Sequence, residues 1–245
     1  MAARPLRAIV TDIDGTLTDA RRRLNTEVVE RLRALEDRGI PVILATGNVL
    51  PIALALHRSI GLSGPIVAEN GGVLFREVDG AGTIERLSDR AVAWAAFQRL
   101  RRAGLPVRRL YTDRWRESEV ALEANVAVSR LRPHLKGLNV RVEGTGFALH
   151  LMERGAGKLP ALRRALRGVG LSLADCLVAG DGDNDVAMLR HAGYAVSFPT
   201  ASARARRAAD FIAHGPSADG FCEVLKLPGV VARLVPQAAR SDVGR

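Results

Sequence analysis

Asp12-Ile13-Asp14-Gly15-Thr16-Leu17-Thr18, directly after the apolar run Leu6 to Val10, sets two carboxylates at the end of a strand that reads as buried. Residues of an extended segment alternate between faces, so Asp12 and Asp14 point the same way into one crevice while Ile13 turns back toward the core. The carboxyl ends of strands are where open α/β sheets place their chemistry. Asp and Gly are also ordinary turn residues, and a solvated turn would satisfy this stretch taken alone. A second acidic cluster weighs against that. Asp181-Gly182-Asp183-Asn184-Asp185 follows the apolar segment Cys176 to Gly180 and precedes helix-like spacing in Val186, Met188 and Leu189. If the two strands are neighbours in one parallel sheet, at least three carboxylates converge, and such a group needs a hard divalent cation such as Mg²⁺.

Outward from these clusters the elements alternate. A helix from Thr26 to Asp37, capped by Asn25 or Thr26, turns Val28, Leu32 and Leu35 inward and stops at Gly39. The strand Pro41 to Ala45 follows and runs into Thr46-Gly47-Asn48, then a helix about Pro51 to Ile60 ending at Gly61, then the strand Pro65 to Ala68 and the turn Asn70-Gly71-Gly72. This βαβαβ order predicts an α/β fold with a doubly wound parallel sheet. From Val73 the pattern changes. Val73 to Val78 and Thr83 to Leu87 flank Asp79-Gly80 as a hairpin, and Ser88 caps a helix to Ala103. Extended segments Val107 to Thr112 and Ser118 to Leu122, a helix about Val126 to Leu135, and the alternating pair Asn139 to Glu143 and Phe147 to Met152 complete a small α+β unit. Gly155-Ala156-Gly157 then returns the chain to a helix that carries Lys158. Residues 1–78 and 155–245 are thus expected to form the core and 79–154 an insert, with the tail after Val235 poorly ordered.

Taken together, Asp-x-Asp-Gly-Thr, strand-Thr-Gly-Asn, Lys158 and Gly-Asp-Gly-Asp-Asn-Asp resemble, in order and spacing, the four motifs of the haloacid dehalogenase-like phosphohydrolases. An insert between the second and third motifs resembles the type C2B cap of those enzymes. Its compact form looks most like the archaeal-type phosphoglycolate phosphatases and less like the larger-capped sugar-phosphate branch.

The residue types suit phosphoryl transfer. A phosphate monoester dianion repels an attacking carboxylate, and its hydrolysis needs up to roughly 10²¹-fold acceleration, so charge neutralisation is central. Mg²⁺ held by Asp12, Asp14 or its neighbouring backbone, and Asp181 would screen and align the ester. Asp12 is then the nucleophile. Asp14, two residues on, is placed to protonate the leaving oxygen and afterwards to activate water. Thr46, with the amides of Gly47 and Asn48, is suited to the phosphoryl oxygens. Among 36 basic residues Lys stands only at 136, 158 and 226, so a lysine retained between motifs suits a compact point charge.

The family resemblance adds further roles. It makes Asp14's backbone carbonyl the metal contact, places Asp185 as a ligand or an orienter of metal-bound water, and sets Asn184 near the phosphate or Lys158. Asp183 falls where the family is variable. Asn70 is carried as a substrate-side contact and Glu69 with less weight. In the loop Tyr111 to Glu117, Arg114 or Arg116 can hold a substrate carboxylate, against the plainer reading of a solvated loop with Trp115 packed on the insert.

With 245 residues, 47% hydrophobic content and no apolar run near the roughly 20 residues of a membrane helix, the chain reads as one enzyme with no membrane partner. Met1 to Arg7 is too short for a secretory signal and two cysteines, Cys176 and Cys222, fit a reduced compartment, so a cytoplasmic monomer or homodimer is expected. None of the five histidines has zinc-ligand spacing, and each reads as a packed or surface side chain. A net charge of +10 raises nucleic-acid binding as a rival, but with 4% aromatics and scattered arginines no specific nucleic-acid partner is expected. The expected activity is Mg²⁺-dependent hydrolysis of a small phosphate ester, first 2-phosphoglycolate, with a sugar phosphate or phosphoserine as the alternative.

Overall fold

The computed structural model describes residues 4–78, 80–145 and 147–237. Buried apolar runs make the central strands. β1 (Ala8–Thr11), β2 (Val42–Ala45) and β9 (Cys176–Ala179) are four residues each, buried throughout. Runs buried on both faces belong in a parallel sheet covered by helices on both sides.

The first half alternates as expected, with α1 (Thr26–Glu36), α2 (Leu50–Ile60) and β3 (Ile66–Ala68). Asn25 caps α1, its side chain accepting from the Val28 amide, and Gly61 closes α2 in the left-handed conformation at φ 84°. β4 (Val73–Val78) and β5 (Ala81–Arg86) follow as the hairpin. The insert contributes α3 (Arg90–Arg102), β6 (Val120–Glu123), α4 (Val128–Leu131), β7 (Val140–Gly144) and β8 (Ala148–Glu153). The chain then returns through α5 (Lys158–Arg167) to β9, α6 (Val186–Leu189), β10 (Tyr194–Ser197), α7 (Ala203–Ala208), β11 (Phe211–Ile212), α8 (Ser217–Val224) and α9 (Pro228–Val231).

The large sheet runs β11-β10-β9-β1-β2-β3-β4-β5, parallel except for the last two strands. Alternate residues feed opposite faces. Ile9, Leu44 and Leu177 pack with α1, α2 and α8, whereas Val10, Ile43 and Val178 pack with α5, α6 and α7. The strand order reverses at the β9–β1 pair, where Thr11 stands opposite Ala179, so the crevice at a topological switch point opens at Asp12 and Asp181. A second sheet, β6-β8-β7, is antiparallel and has its own core with α3, built on Phe97, Leu100, Val120, Leu131 and Leu151.

Four local expectations are corrected. β5 pairs with β4 along its length, from Val73 opposite Arg86 to Val78 opposite Ala81, so residues 81–86 edge the large sheet instead of belonging to the insert. Val107 to Thr112 is not a strand. Arg109 makes a single bridge to Leu122, and Tyr111–Trp115 form a 3-10 turn because the buried Asp113 carboxylate ties that turn to the Ala121 amide at 2.8 Å and to Arg90 and Arg109. The helix expected over Val126 to Leu135 is α only over Val128–Leu131 and continues as 3-10, since Pro133 lacks the N–H that an α turn needs. Asp89 caps α3 instead of Ser88, accepting from the Ala91 amide at 2.8 Å. The strands β10 and β11 extend the sheet on a side where the sequence offers no distinct strand signal. Of the tail expected to be poorly ordered, residues 238–245 lie outside the described residues, and Gln237 still donates to the Gly39 carbonyl.

The insert meets the core at Glu69–Gly72. Glu69 and Asn70 both hold positive φ (51° and 53°), and the Glu69 carboxylate accepts from the amides of Glu117 and Ser118. Gly71, at φ 97°, lies so close to the returning chain that a Cβ would stand 2.1 Å from the Gly157 carbonyl oxygen. Gly61 has a similar φ and open space around it. Gly71→Ala is therefore expected to lose the about 1–2 kcal/mol of a left-handed L-residue plus a backbone clash, and Gly61→Ala only the former. Equal losses of stability in urea titrations of the two variants would refute the close packing of Gly71 on Gly157.

Candidate active site

The ends of four adjacent strands supply the site. Asp12 follows β1, Thr46 follows β2, Glu69 and Asn70 follow β3, and Asp181 follows β9 one residue later. The Asp12 amide donates to Ala179 O, which locks the two acidic loops side by side. Lys158 reaches between them from the first turn of α5. Its Nζ donates to Asp12 Oδ1 at 2.7 Å and to Asp185 Oδ1 at 2.6 Å, with the side chain 0% exposed. A cation in the first turn opposes the helix dipole, and its two carboxylate partners offset that.

Asp185 accepts on its other oxygen from the amides of Asp181 (3.1 Å) and Gly182 (2.9 Å), fixing the loop that presents Asp181. Oxygens of Asp12, Asp181 and Asp185 all lie within 4.8 Å of one another. Three carboxylates meet one ammonium, leaving an excess of negative charge. Burial pushes the Asp12 carboxyl well above the ordinary carboxylate value; Lys158 draws it back, and Asp185 and Asp181 push it further up. Burial and then Asp185 raise Asp181 to about 7. Burial works to lower the Lys158 ammonium, but Asp12 and Asp185 overcome it and hold the group above its usual range. An all-oxygen set with surplus negative charge fits a hard divalent cation.

The remaining sequence candidates fall into two groups. Asp14 lines the cavity, but its carboxylate stands apart from the three acids and accepts from Asn48 Nδ2 at 2.6 Å. Thr46 is buried, and its hydroxyl accepts from the Asn48 amide. Gly47 lines the cavity, where a Cβ would come 3.0 Å from Asn70 Oδ1. Asn184 lines it too and donates to Asn70 Oδ1 at 3.0 Å. Asp183 lines the cavity as well, with its carboxylate accepting from Ser202 and Arg204. The cavity has a volume of about 530 Å³, small-molecule size. Thr145 and Phe147 of the insert close its far side.

Neither arginine of the 111–117 loop lines that cavity. Arg114 lies over Tyr111 on the outer face, its guanidinium 4.4 Å from the ring centroid. Arg116 is buried, ion-paired to Glu119, and donates to Gly47 O at 3.0 Å. Glu119 also accepts from His150 Nδ1 at 2.8 Å and from Asn70 Nδ2 at 3.2 Å, and His150 Nε2 meets Thr145 Oγ1 at 3.1 Å. Burial works to raise Glu119, but His150 and Arg116 overcome it and hold the carboxyl below its ordinary value. A hydrogen-bonded path thus runs from Thr145 in the insert to Asn184 in the core. Sequence reasoning missed Glu119 and the pairing of His150 with it; the available signal was a charged residue directly before the apolar run Val120 to Leu122, since a charge drawn into a core is rarely buried without a partner.

The comparisons agree with this geometry. A family model of haloacid dehalogenase-like hydrolases matches residues 9–103 and 121–225, leaving the segment with Arg114, Arg116 and Glu119 unmatched. A phosphoglycolate phosphatase of Methanoculleus marisnigri is 40% identical over 226 residues, covering 90% of this chain and 96% of that one. Another, from Methanothermobacter thermautotrophicus, is 37% identical over 90% of this chain and 98% of its own. A crystal structure of a Thermoplasma acidophilum protein superposes with a TM-score of 0.83 at 26% identity, covering 91% of this chain and 98% of that one.

Two outcomes follow from the buried charges. Glu119→Ala leaves Arg116 and His150 buried without their acid, at a cost of about 3–5 kcal/mol; a loss below 1 kcal/mol in denaturant unfolding would show that the network holds nothing together. Asp181 has a folded value raised to about 7, so without divalent cation its contribution to stability is full below the ordinary carboxylate range and is lost as pH rises through about 7. In EDTA, stability is therefore expected to fall from pH 5 to pH 8, less steeply in Asp181→Asn. Parallel profiles for the two proteins would contradict the shift.

Proposed function

The chain belongs to the haloacid dehalogenase-like hydrolases, and we propose that it is a Mg²⁺-dependent phosphatase of small phosphorylated metabolites, with 2-phosphoglycolate as substrate. The observation that carries the reading is the convergence of Asp12, Asp181 and Asp185 with the buried Lys158 beside a small cavity that Asp12 and Asp181 line. The archaeal phosphoglycolate phosphatases, similar over nine-tenths of this chain, support the choice of ester. The segment between β5 and α5 serves as a cap, with Thr145 and Phe147 facing the acids.

In this reading Asp12, Asp181 and Asp185 would hold Mg²⁺, with the Asp14 backbone alongside, and the ion would supply neutralisation of phosphoryl charge. Lys158 occupies Asp12 Oδ1, which leaves Oδ2 for phosphorus. That oxygen attacks in line, the P–O bond to the leaving group breaks, and Asp14 gives its proton to the departing oxygen. Asn48 holds the Asp14 carboxylate in place for this transfer. The ionised Asp14 then takes a proton from water, whose oxygen attacks the aspartyl-phosphate and releases inorganic phosphate. Thr46, Gly47 and Asn184 surround the transferring group, and Lys158 balances its charge.

Phosphate release measured with and without Mg²⁺ over 2-phosphoglycolate, phosphoserine, hexose phosphates and an aryl phosphate tests the proposal. The expected result is cation-dependent release with preference for 2-phosphoglycolate, reduced at least about 10³-fold in Asp12→Asn, which keeps the side-chain shape. Preference for a hexose phosphate or phosphoserine replaces the substrate, and unimpaired turnover by Asp12→Asn removes the nucleophile.

A further inference from the structure

Among the described side chains that line the cavity, Arg22 alone is basic; five others, Asp12, Asp14, Asp19, Asp181 and Asp183, are acids. We propose that Arg22 is the specificity residue that takes the carboxylate of the leaving group, so that the site selects phosphate monoesters bearing a second anionic group. The proposal rests on the phosphatase reading above and deepens it.

Four observations carry it. Arg22 sits at φ 60°, a left-handed conformation that L-residues adopt at a cost and that Gly or Asn would adopt more readily. The turn is imposed by Asp19, whose Oδ1 accepts from the amides of Arg21 and Arg23 while its own amide donates to Arg23 O. The guanidinium lies over the ring of Phe147, 4.1 Å from its centroid, so a core side chain is stacked on an insert side chain across the cavity. A cation–π contact uses no N–H donor, and among the described residues no hydrogen bond engages the guanidinium of Arg22. The nearby acids are committed elsewhere: Asp19 pairs with Arg23, Asp183 with Arg204, and Asp14 holds Asn48.

A planar fork with a free edge matches a carboxylate with two parallel hydrogen bonds. Among the charged side chains described at the cavity wall, only this one attracts a free carboxylate on the substrate, because the others are acids and Lys158 is buried between Asp12 and Asp185. Because Phe147 comes from the insert, the fork is oriented only when the insert stands against the core. Recognition of the second anion and closure over the site are then one event.

The test compares kcat/KM for 2-phosphoglycolate with that for ethyl phosphate, a monoester of nearly the same length that lacks the carboxylate, in the full-length enzyme with Mg²⁺. In Arg22→Gln the ratio of the two values is expected to fall about 10- to 100-fold, chiefly through KM for 2-phosphoglycolate. Arg22→Gly, which suits the positive φ and so removes folding as an explanation, should lower the ratio equally. Arg22→Lys should keep part of it, as a point charge without the fork. An unchanged ratio in Arg22→Gln and Arg22→Gly, with wild type turning over 2-phosphoglycolate well, overturns the role of Arg22 and leaves the substrate assignment standing. Wild type that turns over ethyl phosphate or other monoesters but not 2-phosphoglycolate overturns the substrate assignment, and this role with it.

Discussion

Everything at the site depends on one buried ammonium. Asp12, Asp181 and Asp185 cannot share a space this small as free carboxylates, and Lys158, bonded to two of them, is the fixed charge that makes the cluster tolerable. The cation has to arrive from a separate element at a set depth, which ties α5, and therefore the end of the insert, to the ends of β1 and β9. Burial first, and then the residual excess of negative charge, holds Asp12 and Asp181 above the ordinary carboxylate range. It is also what a divalent cation would relieve, so the arrangement is less stable by itself than it would be loaded.

The second constraint is the short segment Glu69–Gly72, where the core hands the chain to the insert. Glu69 holds the backbone of Glu117 and Ser118, Asn70 joins Glu119 to Asn184, and Gly71 lets the returning strand pass at backbone contact distance. Positive φ at two consecutive non-glycine residues is a cost accepted for that junction. With Arg116 bonded to Gly47 O and Glu119 to Asn70, the insert touches the loops that follow β2 and β3 through buried polar contacts. Such contacts need exact partners, so they favour one placement of the insert over others.

Much of this was legible in advance. The strand ends at Asp12, Thr46, Asn70 and Asp181 could be read from apolar runs stopping at polar or glycine-rich turns, and the helix stops at Gly61 and Gly39 from residues that accept φ > 0. Where the reading failed, a long-range contact overrode a local pattern. The alternating stretch before Asp113 resembles a strand, yet one buried carboxylate bonded to Ala121, Arg90 and Arg109 winds the following residues into a 3-10 turn. β10 and β11 are short and carry little alternation, and their pairing with β9 and with each other decides them.

The sequence by itself determined the doubly wound sheet, the place of the insert and the acids that line the crevice, because hydrophobic period and turn chemistry are local and repeat along the chain. Only the tertiary structure decided which charges meet. The sequence points to Arg114 or Arg116 as the partner of a substrate anion, but Arg114 lies over Tyr111 and Arg116 is buried against Glu119, whereas Arg22, which nothing in the sequence singles out, stands over Phe147 at the cavity. Their separation in sequence holds no information about which neighbour each will find. That choice is made by packing between elements, where burial turns an unpaired charge into a cost of several kcal/mol and so selects its partner.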